Sequence, residues 1–254
     1  MRVNILHMGF LYSGGGERVA IEQTKHLRRR GHKVHLYAPV IRWDKCFPTA
    51  LREAAPTELV RFPPVPLLRD AAPMIMASIL PIGIKKLRDC DLLLCHSQPS
   101  MWIGYRLKRL FGIPFVGYLH QLTTFIHKRP EMTGSWSTKA DFAVLDSLLG
   151  VFGKALARKL DMICHRAADR LIFNSMWTRS LFEKEYNLTG EVCYPGLDAS
   201  DTLRRCGTKR NNMILTASRH YPWKRIDLAF HILKKLRCEK PQLVVLGEPT
   251  AHTP

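Results

Sequence analysis

Apolar positions along the chain fall into two alternating kinds of segment. Short unbroken apolar runs with β-branched residues read as buried strands, and longer stretches with apolar residues three and four apart read as amphipathic helices. Residues 2–8 form the first run, ending at Gly9. A small-residue loop, Ser13-Gly14-Gly15-Gly16, leads into a helix over 17–30 with Val19, Ala20, Gln23 and Leu27 on one face. Gly31 closes that helix, and Lys33–Ala38 is a second strand. Strand, glycine loop, helix, glycine stop and strand make a βαβ unit, which requires a parallel sheet covered by helices.

The alternation continues. Strands are expected over 58–62, 91–96, 114–120, 170–174 and 191–194, and helices over 101–111, 142–168 and 178–186. The polar stretch 198–212 reads as a linker. A second βα pattern then opens, with a strand over 213–217, a helix over 225–237 and a strand over 242–246. The expected organisation is an N-terminal Rossmann-like domain over 1–197, a linker over 198–212, and the start of a second Rossmann-like domain over 213–254. Two strands and one helix cannot bury both faces of a parallel sheet, so the second domain is expected to be incomplete as it stands. The same pattern also allows these elements to extend the first sheet.

Composition narrows the chemistry only a little. The chain has 254 residues, 46% of them hydrophobic, enough for a sizeable core. Lys and Arg number 39 against 21 Asp and Glu, a formal charge of +18 that favours anionic partners of any kind. The cations form short dispersed clusters without a C2H2, RRM or basic-zipper signature, which weighs against nucleic acid. The seven cysteines (46, 90, 95, 164, 193, 206 and 238) are odd in number and lack CxxC spacing, which argues against a disulfide framework or a zinc site. A reducing, cytoplasmic setting is expected, with Cys95 behaving as a small buried hydrophobe. Residues 71–84 are apolar but interrupted by Pro73 and Pro81, too short to span a bilayer. They read either as a core helix or, with Lys85, Lys86 and Arg88 beside them, as an interfacial segment on an anionic leaflet.

Three places carry candidate chemistry. The Gly14-Gly15-Gly16 turn lies between strand and helix, where backbone N–H groups can receive an anion, yet it is neither GxGxxG nor a P-loop. His120 closes a strand, and ligand sites in open α/β sheets gather at carboxyl ends of strands; His96 holds the equivalent place on the preceding strand. Ser218-Arg219, with Lys224 five residues after the arginine, could grip a diphosphate, the arginine by a bidentate fork and the lysine as a point charge. Each also has a plain structural reading: a tight turn, a core histidine, a basic surface loop.

Gly14-Gly15-Gly16-Glu17-Arg18, His120, Asn174-Ser175, Tyr194-Pro195-Gly196-Leu197-Asp198 and the Ser218-Arg219…Lys224 loop together resemble retaining glycosyltransferases of family 4, with the GT-B fold. The glycine motif and Asn174-Ser175-Met176-Trp177-Thr178 are most similar to mannosyltransferases that extend lipid-linked oligosaccharides. The resemblance implies transfer of a hexose, mannose in that subtype, from a nucleotide-diphosphate sugar to a lipid-linked or glycan acceptor at the cytoplasmic membrane face. It implies that Arg219 and Lys224 hold the donor diphosphate, where fixed cations answer the charge developing on the leaving group. It places His120 against the transferred sugar, and Gly14, Gly15, Gly16, Asn174, Ser218 and Gly247 in the donor- and acceptor-binding set. No metal and no cofactor is implied. Family members carry a Glu-x7-Glu segment beyond the strand matching 243–246, which the sequence to Pro254 lacks. The expectation is therefore an enzyme whose donor-side half is cut short. The alternative is a non-catalytic chain that needs a partner chain to supply the missing half.

Overall fold

A computed structural model of the chain describes residues 1–60, 77, 83–123, 126–127, 153, 155–196, 212–218, 220, 224–236 and 241–247. The chain divides into two compact units, Met1–His127 with Ala140–Gly196, and Lys128–Lys139 with Leu197–Pro254.

The first unit is built on strands β1 (Arg2–His7), β2 (Lys33–Ala38), β3 (Thr57–Glu58), β4 (Leu92–His96), β5 (Phe115–Leu119), β6 (Arg170–Phe173) and β7 (Glu191–Val192). They form one seven-stranded sheet in the order β3-β2-β1-β4-β5-β6-β7, and every pairing is parallel. Helices connect them: α1 (Gly15–Arg29), α2 (Pro48–Ala54), the short α3 (Ile84–Leu87), α4 (Ser100–Phe111), α5 over residues 155–166, and α6 (Met176–Tyr186). Strand order reverses between β1 and β4, and in open α/β sheets ligand sites gather at the carboxyl ends of the strands beside such a switch point.

Alternation along each strand splits the core between the two faces. Val3 and Ile5 of β1, with Val34, Leu36 and Ala38 of β2, pack against Ala20 and Ile21 of α1 and Leu51 and Ala54 of α2. On the other face, Leu93 and Cys95 of β4, Phe115 and Leu119 of β5, and Phe173 of β6 meet Met101 and Leu107 of α4 and Phe182 of α6. Cys95 is a free, fully buried thiol, as its apolar run predicts, and burial drives its pKa far up. Gly104 lets α4 lie close against the sheet. A Cβ there would come within 2.7 Å of Cys95 Sγ and 2.9 Å of the Phe115 ring.

The expected elements appear in order, but α2 and α3 are additional to them, and the strand expected over 58–62 is Thr57–Glu58. The helix expected over 142–168 is described only from residue 155 to 166, its earlier part lying outside the described residues apart from 153. In two further respects the difference lies in α1. The helix begins at Gly15, two residues early, so Gly15 and Gly16 are its first turn and Gly14 its N-cap. Its buried face is Ala20, Ile21 and Thr24, with Val19, Gln23 and Leu27 only half-buried. The 3.6-residue pattern is ambiguous here, because Thr24 satisfies its hydroxyl by donating to Ala20 O at 2.8 Å and so can turn inward.

The second unit contains β8 (Met213–Ala217), α7 (Ile226–Lys235) and β9 (Gln242–Leu246), with β8 and β9 paired parallel. Among its described residues, Met213, Leu215, Leu228, Phe230, Ile232 and Leu246 are exposed. The proposed linker, apart from Asn212, and most of the apolar segment 71–84 lie outside the described residues.

Candidate active site

Three neighbouring strands of the first unit, β1, β4 and β5, each deliver a histidine at their carboxyl ends. His7 and His96 close β1 and β4 and are register partners, while His120 follows β5 directly. Their rings form a cluster, with centroids 5.2 Å apart for His96 and His120, 5.7 Å for His7 and His96, and 6.5 Å for His7 and His120. His96 Nδ1 and His120 Nε2 share a hydrogen bond of 3.0 Å. His7 Nδ1 lies 2.9 Å from Gly9 O, so its ring is pinned by its own loop.

Removal from water sets the charge of the cluster. Burial, aided by the nearby His120, lowers His7 to about 3; burial lowers His120 to about 4. His96 is driven well below the usual imidazole range, by burial first and then by its two histidine neighbours. All three rings are therefore neutral at pH 7, each with one N–H donor and one lone pair.

The first turn of α1 faces this cluster. A Cβ at Gly16 would lie 3.5 Å from His7 Nε2 and 3.8 Å from His120 Nε2, whereas one at Gly15 would meet nothing within 4 Å. Gly14 has no such room, since a Cβ there would collide with Glu17 Oε2 and the Tyr12 ring. Glu17 is buried in the first turn of α1, so a carboxylate of the chain already answers part of the helix dipole. The glycine triplet thus serves three ends: Gly14 yields to Glu17, Gly15 opens outward, and Gly16 borders the imidazoles.

The backbone of His120 is held from two sides. Its N–H donates to Ser97 Oγ at 3.0 Å, and Ser97 itself sits at φ 52°, a left-handed conformation uncommon for serine. Its carbonyl accepts from Asn174 Nδ2 at 3.1 Å. Asn174 Oδ1 in turn accepts from Thr178 Oγ1 at 2.6 Å, and Ser175 caps α6 through Thr178 N–H at 3.1 Å. The structure therefore ties Asn174 to the His120 main chain. Tyr118 braces the same strand, donating its hydroxyl to Cys193 O at 2.7 Å, with burial pushing its pKa up to about 12.

Behind the cluster lies a buried carboxylate. Asp161 on α5 accepts from Gln98 Nε2 at 2.5 Å, Thr123 Oγ1 at 3.2 Å and Tyr186 Oη at 2.6 Å. This network joins the loops after β4 and β5 to α5 and α6, fixing the floor on which Ser97 and His120 stand.

In the second unit, Ser218 and Gly247 follow β8 and β9 at their carboxyl ends, and Ser218 N–H donates to Leu246 O at 2.9 Å. A Cβ at Gly247 would overlap Ser218 O, so only glycine fits. Lys224 is exposed just ahead of α7, and Arg219 lies outside the described residues. Of the sequence-predicted residues, the structure gathers His120, Gly16 and Asn174 into one place and Ser218 and Gly247 into another. His7 escaped the sequence reading, although a histidine ending the first strand as His96 and His120 end theirs was the available signal. Among the described residues, no group of three or more His, Cys, Asp or Glu side chains is placed to hold a metal ion.

A family model for glycosyltransferase family 4 matches residues 13–201. The chain belongs to that family. Its fold is shared with solved structures at low identity. A HepE protein from Anabaena in complex with UDP aligns at TM-score 0.64 and 19% identity, over 99% of this chain and 62% of that one. A glycosyltransferase from Rickettsia africae aligns at 0.57 and 15%, over 97% and 60% of the two chains. Sucrose-phosphate synthase from Thermosynechococcus elongatus aligns at 0.57 and 14%, over 100% and 64%. No curated protein matches the chain. The fold class is thus that of the GT-B glycosyltransferases, and the chain spans 62% of the length of the HepE structure.

Proposed function

We propose that this family 4 member is a retaining hexosyltransferase that moves a hexose from a nucleotide-diphosphate sugar to a lipid-linked or glycan acceptor. The observation that carries this reading is the meeting of His120 with the first turn of α1 beside the switch point of the sheet, which gathers neutral hydrogen-bonding groups suited to a sugar. The donor class is supported by the HepE structures, which hold UDP, UDP with glucose, and UDP-glucose. The specific version is mannose from GDP-mannose, on the strength of the glycine and Asn174-Ser175-Met176-Trp177-Thr178 motifs.

In this proposal the first unit is the acceptor side and the second the donor side. Arg219 and Lys224 hold the diphosphate and offset the charge it gains as the glycosidic bond breaks. His120 donates to a hydroxyl of the transferred sugar, and Asn174 keeps its main chain in place. Ser218 and Gly247, at the strand ends of the second unit, line the nucleotide. Side chains, not a metal, supply the electrostatics. The setting is the cytoplasmic membrane face, reached by peripheral contact through the exposed Lys85, Lys86 and Arg88, since Ala77 and Ile84 of the neighbouring apolar segment are buried in the core. Among the described residues, no helix is long and apolar enough to cross a membrane.

A second reading has its own support. The exposed apolar residues of β8, β9 and α7 suit a surface that a further segment or a partner chain covers, making activity depend on that complement. The test for both readings is release of nucleoside diphosphate from UDP-glucose and GDP-mannose, with and without a lipid-linked acceptor. Transfer lost in Arg219→Ala and Lys224→Ala supports the site, and equal activity in both variants refutes it.

A further inference from the structure

His96 is fully buried beneath the site and has no place in the transfer chemistry proposed above. Its Nδ1 meets His120 Nε2 at 3.0 Å, and its Nε2 is buried with no hydrogen-bond partner among the described residues. A neutral imidazole carries one proton, on one nitrogen or the other. Placed on Nε2, that proton would be a buried N–H with nothing to receive it, the rarer and costlier defect. Placed on Nδ1, it lies in the bond to His120, and the atom left over is a bare lone pair.

We infer that His96 is a positioning residue for His120: it donates its Nδ1–H to His120 Nε2 and thereby fixes His120 as the Nδ1–H tautomer. The lone pair of His120 is then occupied from within the protein, and the ring meets its ligand as a donor, not as a base. Its hydrogen-bond partner is an oxygen lone pair, such as that of a sugar hydroxyl, whereas a group needing its proton removed finds no acceptor there. Two features keep the pair aligned. The parallel register of β4 and β5 sets the strands beside each other, and Ser97, next after His96, accepts the His120 backbone N–H at 3.0 Å. The meaning of this tautomer for transfer rests on the placement of His120 at the hexose, while the tautomer itself does not.

The test is a long-range proton–nitrogen correlation spectrum of the imidazoles in the 15N-labelled full chain at neutral pH, with His120 assigned by its disappearance in His120→Gln. The expected result is a protonated Nδ1 and an unprotonated Nε2 on His120. His96→Asn places an amide where Nδ1 lies and keeps that signature; His96→Phe removes the donor, and the Nδ1–H form gives way to Nε2–H. His120 protonated at Nε2 in the unsubstituted protein overturns the inference whether or not the His96 variants fold. So does an unchanged His120 signature in His96→Phe. Transfer assays separate the two claims: with the tautomer as inferred, a normal kcat in His96→Phe refutes the role of His120 at the sugar while leaving the positioning intact. Loss of kcat at near-constant KM in His96→Phe, restored in His96→Asn, supports both.

Discussion

Acidification is the perturbation to which the histidine cluster is most exposed. In the unfolded chain an imidazole of ordinary pKa 6.5 takes up a proton between about pH 7.5 and about pH 5, whereas folded His7 and His120, held to about 3 and about 4, stay largely neutral. The unfolded state therefore binds more protons throughout this window. The stabilisation is present above the unfolded pKa and is lost as the pH falls. At about 1.4 kcal/mol per pH unit per proton, each of these residues costs the fold about 2 kcal/mol over that interval. His96, driven well below its ordinary range, adds a third contribution of the same sign. The His7 and His120 terms alone, about 4 kcal/mol together, are comparable with the about 5–15 kcal/mol by which whole domains are stable. The carboxylates with lowered pKa values, Asp91 and Asp169 among them, act in the same direction but at lower pH, so the window isolates the imidazoles. Urea titrations followed by circular dichroism from pH 7.5 down to pH 5 should show a steep fall in the midpoint. In His120→Gln the fall should shrink by about 2 kcal/mol, since that site no longer takes up a proton on unfolding. A midpoint that is flat across the window, or an undiminished fall in His120→Gln, refutes the assignment of a buried neutral cluster.

Two further substitutions separate packing from function. Tyr186→Phe removes the 2.6 Å bond to buried Asp161, and should cost about 1–3 kcal/mol of stability in thermal or urea unfolding; a cost near zero would show that Asp161 does not depend on it. Gly16→Ala places a methyl at ordinary contact distance from His7 and His120 on a helical residue. It should leave stability unchanged or raise it by up to about 1 kcal/mol while impairing sugar transfer, and intact transfer would remove Gly16 from the site.

Much of the fold was legible because a parallel sheet covered on both faces writes each strand as an apolar run, and β8 and β9 carry the bounds that pattern predicts. The start of α1 was not, because three glycines read as a loop. The helix nonetheless begins at Gly15, with buried Glu17 in its first turn and Gly14 as its N-cap. The site was half legible. His120 announces itself by closing a strand, but its hold on His96, and the approach of His7, follow from the register of β1, β4 and β5, strands far apart in sequence. Asn174 was legible as a motif, and only the structure gives it the His120 carbonyl as a partner. Arg219 lies outside the described residues, and both it and Lys224 lie beyond residues 13–201 that the family model matches, so the diphosphate grip rests on the sequence motif alone.

The central claim is that the place where His120 meets the first turn of α1 is where a hexose is transferred. The most direct measurement is the rate of labelled-hexose transfer from GDP-mannose and UDP-glucose to a lipid-linked acceptor by the unsubstituted protein and by His120→Ala. Transfer from one of the two donors, reduced by about 100-fold or more in His120→Ala as for the loss of a fixed transition-state donor, is the predicted result. Equal transfer by the two proteins would contradict it.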